Sequence, residues 1–354
     1  MSHVAVLGGG ARAAEWATRW LASGRDVVVD DPTVVAAIGE LWPAAQRLGL
    51  FPGADRARLR VAAAAVAVVD AAVVQLVAGE VPPGATGLVA TESTARGCSP
   101  VHLVPLVEVS GRRADELAEI YRSIGMAPLL ADAPAHQRWQ LGDGLVQLTD
   151  GEPDALIAVM RSLRATGKGA GAAIAHHEAV RFAAGAAAAW QPGDVVAAPL
   201  ALYRTPVEPE WVDYNGHMTE AAYLTAAGWA SDALFRYIGD DEAYRAAGHS
   251  FYTVETHIHY VLEVNLHEPI SFTTQVLGVD AKRLHLIHCM FHGDTGALLC
   301  TAEQLLVHVN MQAGRSAPIL PDVAAALNAI AAAHSSLPIP SQVGSVMQLP
   351  PPRR

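Results

Sequence analysis

Apolar positions follow two different rhythms along the 354 residues. Near the start, 3–7 and 26–29 are short, nearly continuous apolar runs, with a glycine turn and a helical stretch (11–23) between them. That order predicts the opening β-α-β unit of a doubly wound parallel sheet. Far downstream, Tyr223, Ala227, Ala230, Leu234 and Tyr237 recur at helical spacing. Ala222, Ala226, Ala227, Gly228 and Ala230 keep the middle of that helix thin, which suits close wrapping by a sheet. Four runs rich in Val, Ile, Thr and Phe follow, at 251–262, 270–279, 284–292 and 298–310, separated by Gly, Pro or Asp. One helix followed by four consecutive strands predicts an α+β domain with an antiparallel sheet. Between the two patterns lies an Ala/Gly-rich stretch with helical spacing at 152–166 and 172–190. These rhythms divide the chain into an α/β domain (1–130), a residual helical segment and linker (131–198), an α+β domain (199–331) and a Pro-rich tail (332–354).

Composition narrows the classes. A chain of 354 residues has room for two domains, and with 51% hydrophobic and 17% charged residues it can bury a sizeable core. A net charge of −11 argues against a nucleic-acid partner. Cys98, Cys289 and Cys300 are odd in number and lack CxxC spacing, so a reducing compartment, the cytoplasm, is expected. The start, MSHVAVLGGG, enters a strand directly and reads as no signal peptide. The apolar run 62–69 is far short of the roughly 20 residues a bilayer span needs. No membrane contact is expected.

The chemistry concentrates in Trp211-Val212-Asp213-Tyr214-Asn215-Gly216-His217-Met218. A carboxylate, an amide and an imidazole alternate on a short turn, with Gly216 allowing the bend. Thr219 can cap the following helix, Glu220 suits its first turn and Gly239 can end it. The three groups therefore stand at the positive end of a helix, where developing negative charge is stabilised. Locally, Asp213 and Asn215 fit equally well as an Asx turn capping that helix. Glu255, His257 and His259 alternate on one strand face. His-x-His can chelate a metal, but no further ligand set has usable spacing, so no metal is assigned. His285 and His288 read as sheet-surface or interface residues. Lys282-Arg283 opens a strand and could meet CoA phosphates, or simply form a solvated turn.

Asp213-x-Asn215-x-His217 with Tyr223 on the helix resembles the hotdog-fold thioesterases, including the plant acyl-carrier-protein thioesterases. The stretch 202–327 is similar to the C-terminal domain of two-domain carnitine 3-dehydrogenases. Trp211–Glu220, Tyr252-Thr253-Val254-Glu255-Thr256-His257-Ile258, Lys282-Arg283-Leu284-His285 and Thr301-Ala302-Glu303-Gln304 carry the likeness. The resemblance implies a hotdog domain that hydrolyses betainyl-CoA. On it, Asp213 attacks or activates water, Asn215 orients water or donates to the oxyanion, and His217 carries a proton or donates through a ring nitrogen. The His217 backbone N–H is an oxyanion-hole candidate. Glu255 is the second carboxylate, since the family builds sites between two subunits with help from the strand after the helix. Trp211, Tyr214, Tyr223, Lys282 and Arg283 are the substrate-binding candidates, with Trp211, Tyr214, Trp229 and Tyr252 available for a trimethylammonium group. A homodimer or tetramer through this domain follows, because an exposed strand edge tends to pair.

The first domain resembles the dehydrogenase half of the same proteins. Trp16, Asp31-Pro32, Trp42-Pro43, Pro105-Leu106-Val107-Glu108-Val109 and Tyr121-Arg122-Ser123-Ile124-Gly125-Met126 match that pattern. Gly8 and Gly10 could cradle a pyrophosphate, and Asp30 or Asp31 hold ribose hydroxyls, so NAD is the candidate cofactor there. Ala13 replaces the third glycine, and Arg12 could bind phosphate or block it. The likeness also breaks down. Residues 75–90 are too short for the helix and strand expected, and 81–84 reads as a turn. Arg96 stands where the catalytic His should be, and Ser99 where an Asn should be. Arginine stays protonated and cannot act as a general base. Thr166-Gly167-Lys168-Gly169-Ala170-Gly171 lacks a phosphate loop's preceding strand and following Ser or Thr, and reads as a loop between helices. Residues 1–198 are thus expected to be a shortened, degenerate dehydrogenase. The expected function is acyl-CoA thioesterase, needing no cofactor. A bifunctional dehydrogenase/thioesterase and a non-catalytic CoA- or NAD-binding scaffold are the alternatives.

Overall fold

The computed structural model describes residues 3–97, 100–130, 153–163 and 169–347. Cys98, Ser99, residues 131–152, Lys168 with its neighbours 164–167, and the terminal residues 348–354 lie outside the described residues. Two compact units emerge, Met1–Gly185 and Ala186–Arg354.

The first unit contains β1 (His3–Leu7), α1 (Gly10–Ala22), β2 (Val27–Val29), α2 (Val34–Leu48), β3 (Leu59–Val61), α3 (Ala64–Ala67), β4 (Ala71–Leu76) and β5 (Leu88–Thr91). The five strands are parallel, in the order β3-β2-β1-β4-β5. Every residue of β1 and β2 is buried, which is why their sequence is continuously apolar rather than alternating. The 77–87 connection carries no helix, in keeping with the turn read at 81–84. A smaller sheet orders β6 (Ala95–Gly97), β7 (Leu106–Val109) and β8 (Ala127–Leu130) as β6-β7-β8, with α4 (Ala114–Ser123) between the last two. Trp16 and Trp20 of α1 pack on Tyr121 of α4, at ring separations of 5.6 and 5.7 Å. Two further helices follow, α5 (Pro153–Ser162) and α6 (Gly169–Gly185). α6 stops short of the expected Trp190, because Trp190 belongs to the second unit. There its backbone N–H donates to the Tyr237 carbonyl at 2.8 Å.

The second unit contains β9 (Leu200–Pro206), α7 (Glu220–Ile238), α8 (Glu242–Ala246), β10 (His249–Tyr260), β11 (Pro269–Val279), β12 (Arg283–His292), β13 (Leu298–Asn310), β14 (Arg315–Ser316) and α9 (Pro321–His334). An antiparallel sheet runs β10-β13-β12-β11-β9, and β14 adds to β13. α7 lies along one face of it and buries Ala222, Tyr223, Ala226, Ala227, Ala230, Ser231, Ala233, Leu234 and Ile238. Small residues let the helix approach the sheet, whereas Gly228 faces outward with nothing near its Cβ position. Gly239 ends the helix in the left-handed conformation, at φ 91. This is the one-helix wrap that the resemblance implies, with two additions. β9 is a fifth main strand, on the edge opposite β10. α9 packs Val323, Ala326, Leu327 and Ile330 into the same core as Leu234, Leu284 and Leu306.

Candidate active site

Residues 211–219 form a tight hairpin at the head of α7. Val212 bridges Met218, the Asp213 N–H donates to the His217 carbonyl at 3.0 Å, and the Thr219 N–H donates to the Trp211 carbonyl at 2.8 Å. The Gly216 N–H closes on the Asp213 carbonyl at 3.0 Å, with Gly216 at φ 80, a region that favours glycine. A second ladder holds the hairpin against residues 264–266. The Met218 N–H donates to the Val264 carbonyl at 2.9 Å, and the Leu266 N–H to the Gly216 carbonyl at 3.2 Å.

Within this frame Asp213 and Asn215 meet. The Asn215 backbone N–H donates to Asp213 Oδ1 at 2.8 Å and its amide to Oδ2 at 3.2 Å. The Asx turn is therefore real, but it braces the hairpin and does not cap α7. Thr219 occupies the N-cap position without a side-chain capping bond. The His217 ring turns elsewhere, and its Nδ1 lies 3.1 Å from Oε2 of Glu263. Among the described residues, the backbone N–H of His217 has no hydrogen-bond partner. It lies three residues before the first turn of α7, the positive end of that helix.

Other candidates are placed less uniformly. Trp211 is buried, in the core beneath the hairpin. Tyr223 is buried too; its hydroxyl donates to the Leu262 carbonyl at 3.0 Å, and burial pushes its pKa up to about 12, so it stays a neutral phenol. Tyr260 stacks edge-on against it at 5.4 Å and donates to the Glu220 carbonyl at 3.1 Å. Tyr214 is 97% exposed and touches no core. Tyr252 is exposed near the opposite end of β10. One chain therefore does not gather the four aromatics into a cage. A bulge at Val254 interrupts the pairing of β10 with β13, and beyond it Ile258 and Tyr260 face α7. Glu255, His257 and His259 then share the other face, as the alternation predicted. Glu255 is exposed in mid-strand and is not brought to the hairpin. Lys282 and Arg283 sit in the β11–β12 turn, ten or more residues along the sheet from the end of β11 nearest the hairpin, a distance on the order of 30 Å. Arg283 is tied to Asp280 at 2.6 Å, the solvated-turn alternative.

His285 behaves as expected, half-exposed and 2.7 Å from Glu303. His288 does not. It is buried between Ser231 Oγ and Thr274 Oγ1, each at 2.9 Å, and burial drives its pKa down to about 3, so the ring stays neutral. Burial also lifts the Cys300 thiol to about 12, which removes it as a nucleophile. No metal-capable group of three His, Cys, Asp or Glu occurs among the described residues.

In the first unit, Gly8 and Gly10 adopt φ 103 and 77, and a Cβ on Gly8 would collide with Ala78. Nothing crowds Gly10, and no side chain caps α1, so the loop and helix end fit a pyrophosphate. Asp30 accepts the Gly8 N–H at 2.8 Å, and Asp31, lying against Gly9, accepts the Thr33 N–H at 2.8 Å and the Thr33 hydroxyl at 2.7 Å. Arg12 is engaged elsewhere in this structure. It is held by Glu92, Glu15 and the Gly97 carbonyl. Arg96 lies on β6.

Glu263 and Tyr260 went unread in the sequence. They lie 46 and 43 residues beyond His217, and only the fold brings that segment to the hairpin; the aromatic-glutamate spacing alone was no signal.

Comparison with known proteins agrees with this geometry. A sequence profile of the thioesterase-like superfamily matches residues 207–327. A betainyl-CoA thioesterase of Pseudomonas aeruginosa is 46% identical over 155 residues, covering 44% of this chain and 98% of that protein. An L-carnitine dehydrogenase/betainyl-CoA thioesterase of Agrobacterium fabrum is 36% identical over 260 residues, covering 65% of this chain and 52% of that one. An L-carnitine dehydrogenase of Pseudomonas aeruginosa is 31% identical over 219 residues, covering 45% of this chain and 68% of that protein. The chain spans nearly all of the stand-alone thioesterase but only about half of the two-domain relative. The hotdog unit is a thioester hydrolase domain preceded by a dehydrogenase-like α/β unit, and the chain belongs to the thioesterase-like superfamily.

Proposed function

We propose that the chain hydrolyses a small acyl-CoA, betainyl-CoA first, to the free acid and CoA. The observation that carries this reading is the Asp213–Asn215 pair beside the unpartnered His217 N–H at the head of α7. Thioester hydrolysis needs an oxygen nucleophile and a stabilised oxyanion. The Asp213 carboxylate, steadied by two bonds from Asn215, either attacks the carbonyl carbon or takes a proton from the attacking water. The His217 N–H and the start of α7 receive the oxyanion. The relative named betainyl-CoA thioesterase supports the choice of acyl group.

A second copy completes the site in this reading. Tyr252, Val254, Tyr260, Val261 and Leu262 are exposed along β10, an edge strand that also carries Glu255 and that pairs on one side only among the described residues. Antiparallel pairing of β10 with its copy reverses one sheet against the other. The far end of the second sheet, with its Lys282–Arg283 turn, then lies at the end that holds the first copy's Asp213 hairpin. The same pairing is the route by which Glu255 could serve a neighbouring site. Few cysteines without paired spacing fit a cytoplasmic setting.

We assign no hydride transfer to the first unit. Its loop fits a dinucleotide, but Arg96 supplies no base. If Asp213 is the catalytic carboxylate, Asp213→Asn keeps the hairpin, since an amide oxygen still accepts the Asn215 N–H. It should lower kcat on betainyl-CoA by about 10²–10⁴-fold with KM little changed. A purely structural Asx turn predicts an unaltered kcat.

A further inference from the structure

We infer that Glu263 is the positioning residue of His217, keeping the ring proton on Nδ1 and leaving Nε2 as the nitrogen available to the reaction. This deepens, and rests on, the reading of the hairpin as the hydrolytic site. Glu263 lies outside the Asp213–His217 motif and outside every strand. It is nonetheless fixed on both sides. The preceding carbonyl, of Leu262, accepts the Tyr223 hydroxyl at 3.0 Å. The following residue, Val264, is fully buried and accepts the Met218 N–H at 2.9 Å. His217 is locked in the facing segment, in a bridge with Asn265. Two pinned backbones thus hold the carboxylate at 3.1 Å from Nδ1.

Asp213 faces Asn215 through both its oxygens, and the carboxylate that the His217 ring meets is that of Glu263. A carboxylate beside one ring nitrogen favours the proton on that nitrogen, which leaves the opposite nitrogen with its lone pair. The ring would then be committed to one tautomer before substrate arrives. His217 is 41% and Glu263 77% exposed at the side chain, so the contact is open to solvent in one chain. Its function lies in orientation more than in fold stability, since exposed ion pairs contribute little to the latter.

The test uses the full chain and three variants: Glu263→Gln, His217→Ala and the double variant. Ring-nitrogen NMR identifies the His217 signals by their loss in His217→Ala. The wild type should show the Nδ1–H form, and Glu263→Gln should shift the population toward Nε2–H. With betainyl-CoA, Glu263→Gln should lower kcat about tenfold at nearly constant KM and melting temperature, as expected for a ring held in the wrong tautomer. In the His217→Ala background the same substitution should add nothing, because Glu263 acts only through that ring. An unchanged tautomer in Glu263→Gln, or an equal rate loss in both backgrounds, overturns the inference. If the wild type hydrolyses no acyl-CoA, the site reading fails on its own account, and the ring spectrum still decides the pairing.

Discussion

Asp240 follows the glycine that ends α7 and is wholly buried, with the Arg245 guanidinium 3.8 Å away. Burial raises its carboxyl from an ordinary 3.8 to about 6, opposed by Arg245 and reinforced by Asp232 and Asp241. The folded chain therefore holds a proton that the unfolded chain releases between about pH 4 and 6. That contribution to stability is complete below about pH 4 and is lost as pH rises through about 6. Asp240→Asn should accordingly stabilise the hotdog unit at pH 8, by up to about 3 kcal/mol, and do nothing at pH 4. Thermal melts at the two pH values check this; equal melting temperatures at pH 8 would refute it. Single residues were unevenly legible. Asp213, Asn215 and His217 announce themselves by spacing and a glycine. Their partner Glu263 does not, because a contact across 46 residues leaves no local mark. The two histidines of β12 were legible in principle. Positions 285 and 288 are three apart on a strand and must face opposite sides, so one was bound to be inside.

At the scale of elements, α7 is tied to the sheet by a buried polar knot. Ser231 Oγ meets His288 Nε2 and Gln304 Oε1, each at 2.9 Å, and Thr274 holds the other His288 nitrogen at 2.9 Å. The knot joins the helix to β11, β12 and β13. Ser231→Ala would leave His288 and Gln304 facing an apolar methyl, and should cost about 2 kcal/mol in chemical denaturation. A loss under about 0.5 kcal/mol would mean the knot is replaceable packing. The four long strands were read almost to the residue, because each alternates or runs apolar between clear breakers. β9 was missed: it is bounded by prolines, carries Tyr203, Arg204 and Thr205, and becomes a strand only by pairing with β11. α9 was missed although Val323, Ala326, Leu327 and Ile330 have helical spacing; the Pro-rich segment after it drew the boundary at 331, inside its last turn.

For the whole molecule, the sequence separates two units of different construction, and the structure places the division at Gly185. If two copies pair through β10 as proposed, Tyr252→Lys with Val254→Lys, on that exposed strand, should give monomers in sedimentation where the wild type gives dimers, and lower thioesterase activity in parallel. A variant that stays associated would move the interface elsewhere. The proposed chemistry rests on Asp213, presented on its hairpin at the head of α7. The most direct measurement is CoA release from betainyl-CoA by the full chain and by Asp213→Asn, without added cofactor. The account predicts turnover by the wild type and a loss of at least about 10²-fold in kcat in the variant, with the melting temperature retained. An Asp213→Asn protein with unaltered kcat would contradict it.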